Sequence, residues 1–368
     1  MSAPGSARLL ADARMVRYLG AMIAQSPQLL LRSPLRVVPA TLLLAFLVAG
    51  TAAPRAAAAE ADVVRVLIVD GQNNHKWWPA TTAQMKHILD ETGRFEVDIA
   101  RTRYTWADDS YFPEYELPGQ ESEHLDEAKP DPDFAPNFSD YDVVISNFGW
   151  RAAPWPEQTR ADFESYVKGG GGFVCVHAAD NSFPDWNAYN EMIGLGGWGG
   201  RTEKDGPYVY YQNDELVTDD TPGPGGHHGP RHAYPVVVRD TEHPITRDMP
   251  REWMHQIDEL YDSLRGPAKQ MQVLATSPST LENGGSGRHE PVAMVISYGD
   301  GRVFHTVLGD DVRAMECVGF QTLLSRGTEW AATGEVTLTI PENFPSADEV
   351  STTPFEAGAA ALQDAVAN

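Results

Sequence analysis

Four residues that can transfer a proton or ligate a metal lie at the ends of predicted strands or between them. His75 follows the run VRVLIVDG, His177 ends FVCVH, Glu259 lies in MHQIDELYDSLR, and Asp310 follows GRVFHTVLG. In an α/β fold the loops after parallel strands meet at one edge of the sheet, so these side chains can converge there. Two imidazoles and two carboxylates suit general acid–base catalysis, and they also suit a divalent metal such as zinc or manganese.

Each of these residues also has a structural interpretation. His75 could cap the following helix, His177 could be a buried imidazole bonded to backbone, and Asp310 could cap the next helix. The stretch around Glu259 is predicted to form a short helix or turn with Glu259 and Asp262 on one face, which could be a solvated acidic face. His177, Glu259 and Asp310 are the candidate metal ligands, although the close spacing of an HxxxH motif is absent.

The stretch KGGGGFVCVHAADN, residues 168–181, has the pattern of a nucleophile-bearing turn at the end of a buried strand. Because side chains alternate along a strand, Phe173, Cys175 and His177 share one face, and the turn begins after His177. A nucleophile at such a turn must be exposed, whereas Cys175 lies two residues earlier among apolar neighbours. We therefore expect Cys175 to be buried and inert with a raised pKa, and His177 to occupy the turn.

The elements that must position these groups alternate between strand and helix. Predicted strands cover residues 64–71, 95–100, 142–147, 173–177, 234–238, 272–277, 291–299 and 301–309. The turn Tyr298-Gly-Asp-Gly301 makes the last two strands a hairpin, and residues 319–334 form a closing helix. This order predicts an α/β fold: a flavodoxin-like, doubly wound, mostly parallel sheet with a C-terminal antiparallel hairpin and long loop insertions.

The predicted domain organisation is a leader over residues 1–60, one α/β domain over residues 61–336 and a loosely ordered tail over residues 337–368. Two insertions interrupt this order: residues 101–141 show no period, and residues 199–232 contain PYVYYQ and the Gly/Pro/His run TPGPGGHHGPRH. We expect both to lie over the carboxyl edge of the sheet and to shape a cleft. The second insertion contains His227, His228 and His232. Clustered histidines in a Gly/Pro-rich stretch are more often exposed loop residues than ligands, so we do not count them as a second site.

Composition and the first 60 residues limit the possible partners. Asp and Glu exceed Lys and Arg by 52 to 28, for a formal net charge of −24, which disfavours nucleic acid and anionic membrane surfaces. The apolar segment 37–53 follows Arg32 and Arg36 and precedes PRAAAAEA, a pattern typical of an export signal. We predict a periplasmic or secreted protein, with membrane contact only through the leader if it is not cleaved.

Several segments between residues 64 and 334 form a specific pattern when they are taken together. They are NHKWW, YDVVISN, FESYVKGGGGFVCVHAAD, FPDWNAYNEMIG, EHPIT, DELYDSL, VLATS, HEPVAMVISYGDGRVFHTVLG and GFQTLLSRGTEWAATG. This pattern resembles the ThuA-like (trehalose-utilisation) family, whose fold is similar to class I glutamine amidotransferases but lacks their Cys nucleophile. The resemblance implies that Glu259 points inward. Where the family usually has a His after LG, this chain has Asp310.

The resemblance implies action on a carbohydrate, because members of the family are linked to the metabolism of 3-keto sugars. In a 3-keto glycoside the C2–H is acidic, and His177 or Glu259 would remove that proton. His75, with or without a metal, would hold the enolate oxygen. The hypothesis is a lyase, hydrolase or isomerase that uses acid–base chemistry.

Aromatic side chains in predicted loops are candidates for sugar binding, because flat apolar faces suit the C–H faces of sugars. We assign this role to Trp77, Trp78, Trp150, Trp186 and Tyr261. The alternative is a non-catalytic carbohydrate-binding protein. A binder needs aromatics aligned along an open groove, whereas an enzyme needs the two histidines and two carboxylates to converge in one closed pocket.

Overall fold

The computed structural model describes residues 63–107, 112–355 and 362. The predicted leader therefore lies outside the described residues, as do parts of the first insertion and of the tail. No helix in the described part of the chain is long and apolar enough to cross a membrane.

Strands and helices alternate through the first half of the described chain, as the sequence predicts. The strands are β1 (Val64–Gln72), β2 (Phe95–Trp106), β3 (Glu123–Leu125), β4 (Val143–Ser146), β5 (Gly172–Val176), β6 (Tyr208–Gln212), β7 (Glu215–Asp219), β8 (His227–His228), β9 (His232–Val238), β10 (Glu252–Asp258), β11 (Tyr261–Asp262), β12 (Met271–Ser279), β13 (Arg288–Tyr298) and β14 (Gly301–Thr306). The helices are α1 (Trp78–Asp90), α2 (Glu157–Lys168), α3 (Asn187–Ile193), α4 (Val312–Met315) and α5 (Val318–Thr333).

One large sheet organises the fold, with the strand order β10-β9-β12-β13-β14-β5-β4-β1-β2-β3. The strands from β14 through β5, β4, β1 and β2 to β3 pair in parallel. The strands from β10 to β14 pair antiparallel, and β13 and β14 form the expected hairpin closed by Tyr298 and Gly301. The predicted α/β fold with a mostly parallel, doubly wound sheet is confirmed. The chain runs outward from β1 through β2 in one direction and continues at β4 on the other side, so the switch point lies between β1 and β4.

Helices cover both faces of the parallel strands. Helices α1, α4 and α5 contact one another, with α1 on β1 and β2 and α5 on β5 and β14. On the opposite face an aromatic cluster joins α2 and α3 to β5, in which Phe163 and Tyr189 pack on Phe173. Because both faces are covered, β1, β4 and β5 are almost entirely buried and consist mainly of apolar residues, with Val the most frequent.

The structure corrects the prediction for the stretch around Glu259. A short helix or turn was expected there, but the chain forms strand β10, which pairs with β9, and then β11. Alternate side chains of this stretch are buried, as in a strand: Trp253 and His255 both point into the core. Glu259 and Asp262 therefore share no helical face. Asp262 is fully buried, whereas Glu259 lies at the end of the strand.

The second insertion also contains more regular structure than the sequence indicates. Residues 208–219 form the hairpin β6–β7, and β6 joins the large sheet by pairing with β13. The two-residue strand β8 pairs with β11 in a small separate ladder. Part of the insertion therefore extends the large sheet. Tyr208 and Val209 bury their side chains there.

The tail is held more firmly than its composition indicates. Residues 337–355 contain little regular structure, but Met254 N–H donates to Ser346, and Val318 N–H donates to Ser351. Glu329 accepts hydrogen bonds from Thr337. Several backbone groups of residues 337–355 therefore have hydrogen-bond partners on the domain.

Candidate active site

His75 belongs to a loop that is tied to the loop after the neighbouring strand. Asn73 Nδ2 donates to the carbonyls of Asn147 and Phe148 beyond β4, and Asn73 Oδ1 accepts from His75 N–H at 2.9 Å. These bonds fix the backbone at the switch point of the sheet, where ligands bind in open α/β folds. His75 is therefore held at the carboxyl edge by residues from two adjacent strands.

His177 occupies the first position of a tight turn directly after β5. Its backbone has φ of 45°, a left-handed conformation that is uncommon for a residue with a side chain and that aims the ring out of the strand direction. Nδ1 lies 2.6 Å from the Val307 carbonyl, which can only accept, so Nδ1 carries the proton in the neutral ring. Nε2 is buried, and no described residue hydrogen-bonds to it. A lone pair is thus directed into the site.

A buried carboxylate orients both acidic residues of the site. Asp258, at the end of β10, accepts hydrogen bonds from the backbone N–H groups of Glu259, Gly309 and Asp310 at 2.8–3.1 Å. Its fourth partner is His255 Nε2, at 2.8 Å. Asp258 therefore ties the end of β10 to the segment after β14, and this places the Glu259 and Asp310 side chains next to each other.

The four residues that the sequence singled out converge. His75 Nε2 lies 3.8 Å from Glu259 Oε2 and 3.6 Å from Asp310 Oδ1, and His177 Nε2 lies 4.0 and 3.6 Å from the same two oxygens. One ligand atom from each of the four residues lies within 4.8 Å of all the others. Ligands about 2.0–2.1 Å from a tetrahedral zinc are separated by roughly 3.3 Å, so small inward movements would complete a site. The cluster could hold a metal ion.

Arg231 is a fifth member of the cluster that the sequence analysis missed. Its guanidinium lies 2.5 Å from Asp310, 3.2 Å from Glu259 and 3.2 Å from Asp311, and it stacks over Trp77 at 4.6 Å. One arginine thus faces three carboxyl groups. A divalent cation among the four candidate ligands would reduce the remaining repulsion between carboxylates.

The pKa shifts at the site arise from burial and crowding. Burial, reinforced by His177 and Arg231, lowers the pKa of His75 well below its usual value, so the ring is neutral at neutral pH. Burial, together with the nearby Asp258 and Glu259, raises the pKa of Asp310 to about 9 against the opposing effect of Arg231. A neutral imidazole is the form that binds a metal or accepts a proton.

A cavity of about 260 Å³ opens above the cluster. Its lining residues are Asn74, His75, Trp150, Asn181, Trp198, His228, Glu259 and Tyr261. This volume lies just below the range of roughly 300–1,000 Å³ that is typical for small-molecule sites, so it suits one ring-sized group. The amide, imidazole and carboxylate groups of this lining can form hydrogen bonds, and its aromatic rings can stack on a ligand.

The five aromatic residues assigned to sugar binding occupy three kinds of position: two line the cavity, one supports the cluster and two are buried in the domain. Trp150 and Tyr261 line the cavity, and the Tyr261 ring lies 4.1 Å from that of His177. Trp77 supports the cluster instead, because it stacks on His75 and its Nε1 donates to the Asp310 carbonyl. Trp78 and Trp186 are buried in the packing of the domain and do not line the cavity, so the structure corrects their assignment.

A larger cavity, of about 320 Å³, lies away from this site between α1, α5 and the tail. Its polar lining includes His87, Gln321 and Arg326, but it contains none of the four clustered residues. Catalysis requires titratable groups that converge on one point, so we assign the active site to the smaller cavity.

His228 and Trp198 are further site residues that sequence reasoning did not select. His228 Nε2 lies 3.8 Å from Glu259 Oε2, and Trp198 packs edge-on against Tyr261 at 4.7 Å. The signal was position: His228 lies in the second insertion, which was expected to cover the carboxyl edge, and Trp198 directly precedes it. Cys175, in contrast, is fully buried, and burial raises the pKa of its thiol, as predicted.

Comparison with known proteins places this architecture in a family. The ThuA family model, described as trehalose utilisation, matches residues 65–331. The chain belongs to the ThuA family. The structure is similar to that of a putative ThuA-like protein from Parabacteroides merdae, with 40% sequence identity and a TM-score of 0.70 over 79% of this chain and 98% of that one.

A second solved structure, a putative ThuA-like protein from Bacteroides uniformis, is 18% identical with a TM-score of 0.46 and covers 77% of this chain and 96% of its own. A search of curated proteins found no match. The ThuA family is carbohydrate-related by its description. The His/Glu/Asp cluster therefore lies at the carboxyl edge of a ThuA-family domain.

Proposed function

We propose that this chain is an exported carbohydrate-active enzyme that cleaves 3-keto glycosides by elimination. The observation that carries the proposal is the convergence of His75, His177, Glu259 and Asp310 beside one ring-sized cavity. The family description supports a carbohydrate substrate. The apolar segment and small-residue run before residue 60 support export.

The proposed reaction needs a base, a group that holds an enolate oxygen and an acid. The C2–H bond of the keto sugar breaks, and its proton passes to Glu259 or to Nε2 of His177. The electron pair forms an enolate with the C3 oxygen and then the C1=C2 double bond, while the C1–O bond breaks and the departing oxygen takes a proton. The products are an enone sugar and an alcohol, so neither water nor an oxidant is consumed.

The positions of His75 and His177 support their roles in the proposed reaction. The neutral ring of His75, which stacks on Trp77, faces the cluster through Nε2 and would hold the developing oxyanion. A zinc or manganese ion, when bound by His75, His177 and Asp310, would polarise the ketone oxygen as a Lewis acid in place of the His75 ring, and Glu259 would then be the base. The Val307 carbonyl fixes the His177 ring, so that Nε2 stays directed into the site, where it can bind the metal or, in the metal-free protein, accept the C2 proton.

A non-catalytic binding protein is the competing function. Such a protein would present its aromatic residues along an open groove, whereas here Trp150, Trp198 and Tyr261 surround a small cavity that adjoins buried titratable groups. Unpartnered buried polar atoms such as His177 Nε2 cost stability without a ligand or a catalytic use. We therefore favour the enzyme.

The test combines metal content with turnover. We expect the purified chain to carry about one zinc or manganese per molecule, and to release methanol from methyl 3-ketoglucopyranosides but not from the unmodified glycosides. His177→Ala should abolish both the bound metal and the release, while His232→Gln, a change in a histidine outside the cluster, should alter neither. Absence of turnover on every keto glycoside of either anomeric form, with metal bound, would refute the proposed reaction.

A further inference from the structure

His228 differs from the other histidines of the cavity in its contact with solvent. Its side chain is 38% exposed, compared with 13% for His75 and 3% for His177. An acid that gives up a proton in each turnover must regain one from solvent. Among the three imidazoles described at the cavity, His228 is best placed for that exchange.

The ring of His228 is oriented by its own backbone contacts. Nδ1 lies 2.9 Å from the Gly229 carbonyl, and Nε2 faces the cavity 3.8 Å from Glu259 Oε2. Trp198 and Tyr261 flank the ring at 5.9 and 6.0 Å between centroids. Nε2 thus adjoins Glu259 at the more exposed side of the cavity.

A second set of contacts holds the strand that carries His228. Tyr261 pairs with His228 across β8 and β11, and on the other side His227 Nδ1 binds the buried Asp262 at 3.1 Å. Asp262 also accepts hydrogen bonds from Ser263 and Ser279. The two neighbouring histidines therefore have separate tasks: His227 anchors the strand, and His228 faces the cavity.

We propose that His228 is the catalytic acid of the elimination: as the imidazolium, with Nδ1–H on the Gly229 carbonyl, it donates its Nε2 proton to the departing C1 oxygen and becomes the neutral ring. This inference rests on the proposed function, because it assigns the proton that the leaving alcohol must receive. A sugar ring with C2 and C3 toward the buried cluster turns the C1 substituent toward the open side. The leaving group then passes His228 as it departs into solvent.

The test compares two leaving groups that differ in their need for a proton. Methanol leaves poorly without a proton, whereas 4-nitrophenol leaves readily as an anion. We expect His228→Asn to slow the elimination of methanol from methyl 3-ketoglucopyranoside by about 10²–10³-fold, in the range typical for a positioned acid. Elimination of 4-nitrophenol from the matched glycoside should slow far less. Exchange of the C2 proton with D2O, followed by NMR, should continue in the variant.

The outcomes separate the two proposals. If the wild-type chain neither exchanges the C2 proton nor eliminates either leaving group, both proposals fail. If His228→Asn slows both eliminations by the same factor, or leaves both unchanged, the acid assignment fails while the elimination stands. His228→Gln provides a second variant in case the first does not fold, and His232→Gln, on the same segment, should behave like the wild type.

Discussion

Two buried aspartates of the sheet each face an arginine, but their surroundings differ. Asp70, near the end of β1, receives two parallel hydrogen bonds from Arg101, at 2.7 and 2.8 Å, and both side chains are fully buried. Asp310 shares Arg231 with two other carboxyl groups, and its Oδ1 accepts no hydrogen bond from any residue in the described part of the chain. One aspartate is fully paired, while the other is not.

This difference separates a buried charge that stabilises the fold from a buried group that remains available to a ligand. A buried bidentate pair with all donors used stabilises one arrangement and leaves nothing for a ligand. A buried carboxyl group with a raised pKa and an unused oxygen is costly until a cation or substrate arrives, and such groups cluster at functional sites. The comparison predicts that changes at the two aspartates affect different measurements.

The largest expected effect is on turnover, in Asp310→Asn. We expect the rate on a keto glycoside to fall by about 10²–10⁴-fold, because a candidate metal ligand and proton-transfer group of the cluster is lost. Stability should stay constant or rise, since the raised pKa of Asp310 shows that its charge is disfavoured in the fold. Turnover assays and urea denaturation measure the two effects, with the exposed Asp248→Asn as a control. A large loss of stability with retained turnover would contradict this prediction.

Arg101→Met should give the opposite result. It leaves Asp70 buried without its partner, which typically costs about 3–5 kcal/mol of unfolding free energy, while turnover per folded molecule stays unchanged. The matched change Arg231→Met should cost less, because that side chain is 32% exposed and Asp310 can take up a proton. Equal losses of stability in the two variants would remove the distinction between the pairs.

Glu290 extends the comparison to a buried carboxyl group whose hydrogen bond comes from the hydroxyl of Ser286. Burial raises its pKa to about 7. The folded state holds more protons than the unfolded state between the unfolded pKa of about 4.3 and the folded pKa of about 7. This group therefore lowers the free energy of unfolding as the pH rises through that window, by roughly 4 kcal/mol in total. Glu290→Gln should remove this loss, measured by urea denaturation at pH 5 and pH 8. An unchanged difference between the two pH values would count against it.

The smallest expected effect concerns Asp258, which binds the backbone of both acidic residues in the cluster. In Asp258→Asn an amide replaces one acceptor oxygen, so one of the N–H groups of Glu259, Gly309 and Asp310 loses its partner. We expect metal affinity to fall by about 10–100-fold, the usual cost of disturbing groups that orient ligands. Titration of the metal-free protein with zinc measures this. The control is Asp131→Asn, at a buried aspartate that accepts hydrogen bonds from the backbone N–H groups of Arg103 and Asp133 away from the cluster.

Much of the fold and the centre of the site could be predicted from the sequence. The mainly apolar sequences of β1, β4 and β5 predict buried parallel strands. The predicted ends of β1 and β5 give the positions of His75 and His177. The position of Cys175 within a strand, two residues before the turn, was sufficient to predict a buried thiol. These features depend on local pattern, which a sequence contains directly.

The remaining features depend on contacts between distant segments. Arg231 and His228 reach the cluster because β8 pairs with β11, a two-residue ladder with no sequence signal. The core positions of Trp78 and Trp186 follow from how α1 and α2 pack, since a tryptophan at the end of an element can face either the core or the cleft. The strand β10 was mistaken for a helix or turn because its polar residues, His255 and Asp258, are buried through partners elsewhere in the chain.

One surface segment, residues 227–231, contributes both His228 and Arg231, whereas the other cluster residues follow strands of the large sheet. In the proposed reaction, the chemistry at C2 and the protonation of the departing group therefore depend on different parts of the fold. Exchange of this segment between relatives could change which aglycones are accepted without disturbing the central scaffold, so the divergence of substrate preference in the family should concentrate there.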